Sequence, residues 1–180
     1  MFENIIKNVH NRHPLIHCIT NYVSINDCAN IVLACGGAPI MAEDINEVSQ
    51  ITSICQGLDI NIGMLNDNKL SSMLKAGATA NELGIPVILD PVGAGSSDYR
   101  IKAVQNLMSN VQFGVIRGNV SEIKAIAAKQ GIHNIAAGVY ETMQKNKSAM
   151  GVEAGIADKI TDDNIKEMAD FINKLSQKTG

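Results

Sequence analysis

From Leu15 to Ile116, short apolar runs alternate with stretches in which apolar residues recur at intervals of three and four. The short runs predict strands, and the longer stretches predict helices. Because these strands are apolar at almost every position, both of their faces need cover, which is typical of a parallel sheet between two helical layers. The sequence therefore predicts a three-layer α/β fold with a mostly parallel sheet. The predicted strands are Leu15–Ile19, Ala38–Met41, Leu58–Ile62, Pro86–Leu89 and Gly114–Ile116.

Seven helices are predicted between and after these strands, and Asp44 would cap the second of them, with Glu47 three residues further on. Beyond residue 129 the alternation stops, because two more helical patterns follow with no clear strand between them. Either the sheet is incomplete at the C-terminus of this chain, or the fold ends in a docked helix. The predicted helices are Ile25–Cys35, Ile45–Gln56, Lys69–Leu83, Tyr99–Met108, Ser121–Lys129, Ala136–Asn146 and Asn164–Lys178.

Composition excludes several classes of function. The 180 residues are 46% hydrophobic, which is enough for one compact domain spanning 1–180. A formal net charge of −3 provides no basic surface for nucleic acid or for an anionic membrane. With no apolar run of about 18 residues and no signal-peptide pattern, we expect a cytoplasmic protein. The four cysteines and four histidines lack the spacing of a zinc site.

Ligands of open parallel sheets bind at the carboxyl ends of the strands. The fourth predicted strand ends in Asp90-Pro-Val-Gly-Ala-Gly95 and leads into a helix. Gly93 and Gly95 allow a close backbone approach, a helix N-terminus attracts an anion, and a carboxylate can hold magnesium through water. The alternative is an ordinary glycine-bearing turn in which Asp90 accepts a local hydrogen bond. Spacing alone favours neither interpretation.

The fifth predicted strand is followed by Arg117, Asn119 and Glu122. Arginine provides a planar, permanently charged fork that suits phosphate. The alternative is that Asn119 or Ser121 caps the next helix and that Glu122 complements its dipole. Together, Arg117 and the carboxylates of Asp90 and Glu122 would be the set that magnesium-dependent phosphoryl transfer needs.

The first three strand ends carry small polar and apolar groups. Asn21, Met41, Asn61 and Gly63 could line a pocket for a modest, weakly polar organic ligand. The alternative for Met41 is ordinary core packing, since methionine fills irregular gaps readily.

Five motifs in register resemble the hydroxyethylthiazole kinase family, which has a ribokinase-like fold. The resemblance extends over residues 1–125, and Met150-Gly-Val-Glu-Ala-Gly155 is similar to the family's next landmark. Each motif is weak alone, but their common order and separations make the combination specific. They are His17-Cys-Ile-Thr-Asn21, Pro39-Ile-Met-Ala42, Asn61-Ile-Gly63, Asp90–Gly95 and Arg117-Gly-Asn119 with Glu122.

The resemblance implies ATP- and magnesium-dependent phosphorylation of the primary alcohol of 4-methyl-5-(2-hydroxyethyl)thiazole in thiamine salvage. It also implies a homotrimer with active sites at the subunit interfaces. Thiazole contact is implied for Met41, with three other substrate-binding residues nearby, namely Asn21, Asn61 and Gly63. ATP binding is implied for Arg117, Asn119, Gly93 and Gly95, and a link to magnesium for Asp90 and Glu122.

The sequence departs from the family's pattern mildly at Met64, where the family tends to have Thr, and at Ser96-Ser97, which replaces Ala-Thr. A larger departure is that family members run on beyond the position of Gly180. The additional segment contains a Gly-Thr-Gly-Cys turn that supplies the anion hole and the catalytic cysteine, so no catalytic residue is assigned here. The chain thus corresponds to the N-terminal two thirds of the family's domain.

Three functions stay open at this point. The chain could be a thiazole kinase whose own turnover is in doubt. It could be a non-catalytic ligand-binding or oligomer-assembling remnant of such a kinase. It could also be a related ribokinase-like kinase of another vitamin precursor or a sugar, which would need different residues at positions 21, 41 and 61.

Overall fold

The computed structural model describes residues 2–129, which form a five-stranded parallel sheet with helices between successive strands. The predicted parallel α/β fold is confirmed. The strands are β1 (Leu15–Ile19), β2 (Ala38–Ile40), β3 (Gly57–Asn61), β4 (Val87–Asp90) and β5 (Val115–Ile116). The helices are α1 (Phe2–Arg12), α2 (Ile25–Ala34), α3 (Val48–Ser53), α4 (Asp67–Glu82), α5 (Asp98–Asn110) and α6 (Val120–Lys129).

The strand order in the sheet is β2-β1-β3-β4-β5, and every neighbouring pair is parallel. The chain therefore places β2 on one side of β1 and all later strands on the other side. In doubly wound sheets, such a reversal opens a crevice at the carboxyl ends of the two strands that flank it. Here those strands are β1 and β3.

The strand register divides the side chains of the sheet between two faces. On the first face, Leu58 pairs with His17 and Val87, and Ile60 with Ile19 and Leu89; all six are buried. On the second face, the row Cys18, Asp59, Ile88 and Val115 runs from β1 to β5. This second face becomes more exposed along the row: Cys18 is 3% exposed, Ile88 41% and Val115 53%.

The observed boundaries agree with the prediction at β1 and differ by one residue at each end of β3 and β4. The predicted cap of α3 is wrong. The Asp44 carboxylate accepts a hydrogen bond from the backbone N–H of Asn46 at 2.8 Å and so forms a tight turn, and α3 begins only at Val48. Helix α4 begins at Asp67, two residues before the predicted start, because Asn66 Oδ1 accepts the backbone N–H of Lys69 at 2.9 Å.

The chain divides into two compact units. The first comprises Met1–Asp90 and Ser109–Arg117 and contains the whole sheet. The described part of the second comprises Pro91–Met108 and 118–129, and its buried apolar residues include Ile101, Leu107 and Ile126.

The predicted helices Ala136–Asn146 and Asn164–Lys178, and the motif Met150–Gly155, lie outside the described residues. Within residues 2–129, no helix has the length and apolar character needed to cross a membrane.

Candidate functional site

Three predicted ligand-binding residues meet at the reversal between β1 and β3. Asn61, the last residue of β3, accepts two hydrogen bonds at Oδ1, from Asn21 Nδ2 at 3.2 Å and from the Gly63 backbone N–H at 2.8 Å. Asn21, which follows β1, accepts at its own Oδ1 the backbone N–H of Ser24 at 3.0 Å. The structure therefore brings Asn21, Asn61 and Gly63 into one amide cluster at the crevice that the topology predicts.

Gly63 is required by the close approach of the two asparagines. A Cβ atom at this position would lie 2.9 Å from both Asn21 Nδ2 and Asn61 Oδ1. Any side chain would therefore push the two amides apart.

Met41 follows β2, and its neighbour Ala42 is fixed to the sheet by a buried histidine. His17 Nε2 donates a hydrogen bond to the Ala42 carbonyl at 2.8 Å, and His17 Nδ1 accepts one from Thr52 Oγ1 at 2.9 Å. Burial lowers the pKa of His17 and outweighs the opposite effect of the bond to Ala42. Neutral His17 thus fixes the segment that follows β2. Met41 lies in this segment, directly before Ala42.

A buried lysine that the sequence analysis missed lies in the first turn of α4. Lys69 Nζ donates to the Thr20 carbonyl at 2.5 Å, pairs with Glu43 Oε2 at 2.7 Å and lies 4.6 Å from the centre of the Tyr22 ring. The Tyr22 hydroxyl donates to the other oxygen of Glu43. We call these four residues the Lys69 clamp. A signal was present, because Lys69 lies on the same helical face as the buried residues Met73, Ala76 and Ala80.

Charge is balanced inside the Lys69 clamp. Burial opposes ionisation of Glu43, but the hydrogen bonds from Lys69 and Tyr22 together outweigh it and lower the pKa of Glu43. The same bond to Glu43 raises the pKa of the Tyr22 hydroxyl. The clamp therefore holds one cation against one anion at the ends of β1 and β2.

Asp90 and Arg117 form an ion pair at the ends of β4 and β5, with Arg117 Nη1 at 2.8 Å from Asp90 Oδ2. The Arg117 side chain is 78% exposed and that of Asp90 only 16%, so the guanidinium can reach a ligand in solution. Asp90 is the register partner of Asn61. The ion pair and the amide cluster thus lie at neighbouring strand ends.

Asp59 lies further back on the same face of the sheet as Asn61. Burial raises the pKa of Asp59 to about 6, assisted by the charge of Asp90 and opposed by that of Arg117. A carboxyl group that takes up a proton near neutral pH thus lies behind the strand ends.

In the second unit, Glu122 shapes the turn that follows β4. Its Oε1 accepts the Gly93 backbone N–H at 2.8 Å, and its Oε2 accepts that of Asn119 at 2.8 Å. Asn119 Oδ1 in turn accepts the Glu122 backbone N–H at 2.9 Å, which completes a reciprocal capping box at the start of α6. Asn119 is therefore the cap that the alternative interpretation proposed.

The turn itself needs glycine at one position and has a second support. Gly93 has a φ of 66°, a conformation that side chains disfavour. Arg100 Nη1 donates to the Val92 carbonyl at 2.8 Å. Gly95 lies two residues after Gly93 in the chain and is exposed.

The donor chemistry of Asp90 and Glu122 fits magnesium, which prefers oxygen ligands. Both carboxylates already have protein partners, Arg117 for one and two backbone N–H groups for the other. Among residues 2–129, no three His, Cys, Asp or Glu residues are grouped as a metal site. At either carboxylate, phosphate and water oxygens would have to supply most of the coordination of such an ion.

Comparison with known proteins gives consistent matches. Residues 6–169 match the model of the hydroxyethylthiazole kinase family. A hydroxyethylthiazole kinase of Clostridium acetobutylicum is 51% identical over 180 residues, which are 100% of this chain and 60% of that protein. One of Methanobrevibacter smithii is 44% identical over 174 residues, 97% of this chain and 57% of that protein.

A solved structure of a hydroxyethylthiazole kinase protein from Pyrococcus horikoshii has a TM-score of 0.69 to this chain at 38% sequence identity. The match covers 78% of this chain and 53% of that one. The chain therefore spans no more than 60% of the length of these three relatives.

Proposed function

The chain belongs to the hydroxyethylthiazole kinase family, and on that premise we propose that it binds 4-methyl-5-(2-hydroxyethyl)thiazole and takes part in phosphorylating its primary alcohol with ATP. This is a phosphotransferase reaction of thiamine salvage. Because the chain spans only part of the length of its relatives, both the substrate and the turnover of this chain belong to the proposal.

One observation supports the proposal most strongly. The amide cluster at β1 and β3 and the Asp90–Arg117 ion pair at β4 and β5 occupy four adjacent strand ends at one edge of the sheet. A neutral azole alcohol needs hydrogen-bonding groups, and the phosphates of ATP need a cation close by. Adjacent strand ends offer both.

In this proposal the thiazole contacts Met41, Asn21, Asn61 and Gly63. Arg117 binds ATP phosphate. Gly93, Gly95 and Asn119 contribute to ATP binding through the conformation of their turns, since the backbone N–H groups of Gly93 and Asn119 already donate to Glu122. Asp90 and Glu122 are the magnesium-linked carboxylates, and the ion would neutralise phosphate charge. Phosphoryl transfer depends mainly on such positioning and charge neutralisation, so these residues need not react covalently.

The proposal also includes a homotrimer and a cytoplasmic location. Light scattering coupled to size-exclusion chromatography tests the first, since a stable monomer at micromolar concentration would contradict it.

Isothermal titration with the thiazole alcohol, followed by incubation with ATP and magnesium and mass spectrometry of the product, tests the function. Binding and phosphorylated product are expected. Binding without product would favour the non-catalytic ligand-binding candidate. A preference for a pyrimidine alcohol or a sugar in a panel of substrates would favour a related kinase instead.

Substitution tests the assignment of the ion pair. Arg117→Ala and Asp90→Asn should each lower turnover roughly a hundredfold, because each removes a charged contact from the transition state. Arg12→Ala and Asp27→Asn make the same charge changes on exposed helices and should leave the rate unchanged. Parental rates in both ion-pair variants would refute the assignment.

A further inference from the structure

Lys69 is almost completely buried, with 4% of its surface exposed. A buried ammonium group is costly unless its charge and its donors are satisfied. Here a carbonyl, a carboxylate and an aromatic face satisfy them, at the distances given above. The ammonium group of Lys69 is therefore buried against partners from other segments, while the Glu43 side chain is 40% exposed.

The Lys69 clamp connects three separate segments of the first unit. Thr20 and Tyr22 belong to the turn after β1, Glu43 to the segment after β2, and Lys69 to the helix that follows β3. The residues proposed to touch the thiazole lie in the same segments, since Thr20 precedes Asn21 and Glu43 lies two residues after Met41. The third segment contains Gly63 and leads into α4.

We propose that Lys69 is a positioning residue that sets the spacing of Asn21, Met41 and Gly63 around the substrate, although it touches no substrate atom. This inference rests on the proposed function and goes beyond it, because it assigns a role to a residue outside the binding set. With Lys69 paired to Glu43, the clamp adds no net charge beside the proposed binding residues, which suits an uncharged heteroaromatic alcohol.

Removal of the ammonium group should loosen the segments. In Lys69→Met, the Thr20 carbonyl and the Glu43 carboxylate lose their buried partner. The dissociation constant for the thiazole alcohol should rise roughly tenfold, because binding must then restore a spacing of the three segments that the unpaired groups no longer hold. If the chain turns over, KM should rise while kcat at saturating substrate changes little.

Two milder variants guard against misfolding. Lys69→Arg keeps the charge and should recover most of the affinity. Tyr22→Phe removes only the hydroxyl bond to Glu43 and should weaken binding about twofold.

Lys75 supplies the matched control. It lies on the same helix, and its Nζ also donates to a backbone carbonyl, that of Ile45 at 2.8 Å, but it is exposed. Lys75→Met should therefore bind the thiazole alcohol like the parent chain.

Hydrogen exchange provides a readout that needs no ligand. The Ser24 backbone N–H donates to Asn21 Oδ1, and the Gly63 N–H donates to Asn61 Oδ1. Lys69→Met should speed exchange at both amides while amides inside β3 keep the parental rate. A general loss of structure would instead speed exchange throughout the sheet.

The outcomes separate the two proposals. If the parent chain binds no thiazole alcohol, the proposed function and this inference both fail. If the parent binds but Lys69→Met binds equally well, only this inference fails. If Lys69→Met does not fold, the other two variants decide. Parental affinity in Tyr22→Phe together with an affinity in Lys69→Arg far below the parental value would overturn the inference.

Discussion

The two faces of the sheet in the first unit differ in burial and in the polar residues that they carry. The first face is buried at the positions where β1, β3 and β4 pair, and the single polar residue among them, His17, has both ring nitrogens hydrogen-bonded. The second face carries Asp59 and becomes exposed toward β5. At its carboxyl end it holds Asn61 and Asp90, which are proposed to serve the ligand.

The difference teaches where stability and chemistry reside. A fully covered apolar face contributes most of the free energy of folding, because burial of apolar surface is the main favourable contribution. Polar and titratable groups are costly on such a face and better tolerated where cover is thin. The second face can therefore hold carboxylates and amides whose arrangement serves binding.

The largest expected effect compares two isoleucines on adjacent strands. Ile60, on the first face, is 0% exposed, and Ile88, on the second, is 41% exposed. Ile60→Ala should cost about 3–4 kcal/mol of unfolding free energy and Ile88→Ala only about 1 kcal/mol. Urea denaturation measures both. Equal losses would break the comparison and show that another surface covers the second face in solution.

A smaller effect concerns the charge of Asp59. Its folded pKa of about 6 lies above the ordinary value of 3.8, so its contribution to stability is present below 3.8 and is lost as the pH rises through 6. Asp59→Asn should therefore gain about 1–2 kcal/mol at pH 7.5, after allowance for solvent contact, and nothing at low pH.

The pH dependence of stability that His17 causes has the opposite sign, and it should be measurable in the Asp59→Asn variant. Its lowered pKa means that its contribution is complete above 6.5 and declines as the pH falls. In the Asp59→Asn variant, stability should fall below pH 6.5 by up to about 1.4 kcal/mol per pH unit. Urea unfolding at several pH values tests both signs. A variant less stable than the parent at pH 7.5 would refute the account of Asp59.

The smallest of these effects on stability should be accompanied by a loss of binding. Gly63→Ala forces the Asn21 and Asn61 side chains apart and should cost about 1 kcal/mol of stability but about tenfold in affinity for the thiazole alcohol. Gly114→Ala is the control, because its Cβ would meet only the Val87 carbonyl, at 3.8 Å. Unchanged affinity in Gly63→Ala would remove the amide cluster from the binding site.

Much of this architecture follows from local sequence, and the exceptions have identifiable causes. Strand β1 is bounded by Pro14 and a polar Thr20, so its limits are visible in the sequence. The unequal cover of Ile60 and Ile88 is not, since both are isoleucines in apolar runs and the cover comes from distant segments. The turn at Asp44 was misjudged because its carboxylate has two competing local uses.

The site was predictable to a similar extent. Residues at strand ends were identifiable, and the structure groups Asn21 with Asn61 and Asp90 with Arg117. The roles predicted for these residues in binding remain predictions. The place of Lys69 on the buried face of α4 was readable from the sequence, but its partners were not, because Thr20, Tyr22 and Glu43 lie far from it in the chain.

The contacts that build the first unit's crevice also imply an order of events during synthesis of the chain. Asn21 meets Asn61 across 40 residues, and the Thr20 carbonyl meets Lys69 across 49. When β1 leaves the ribosome, its amide and carbonyl therefore have no native partner, and they stay hydrated until β3 and the start of α4 have followed. Non-local contacts of this kind form late. The crevice is thus a property of the assembled sheet, and a nascent chain that stops short of Lys69 cannot possess it.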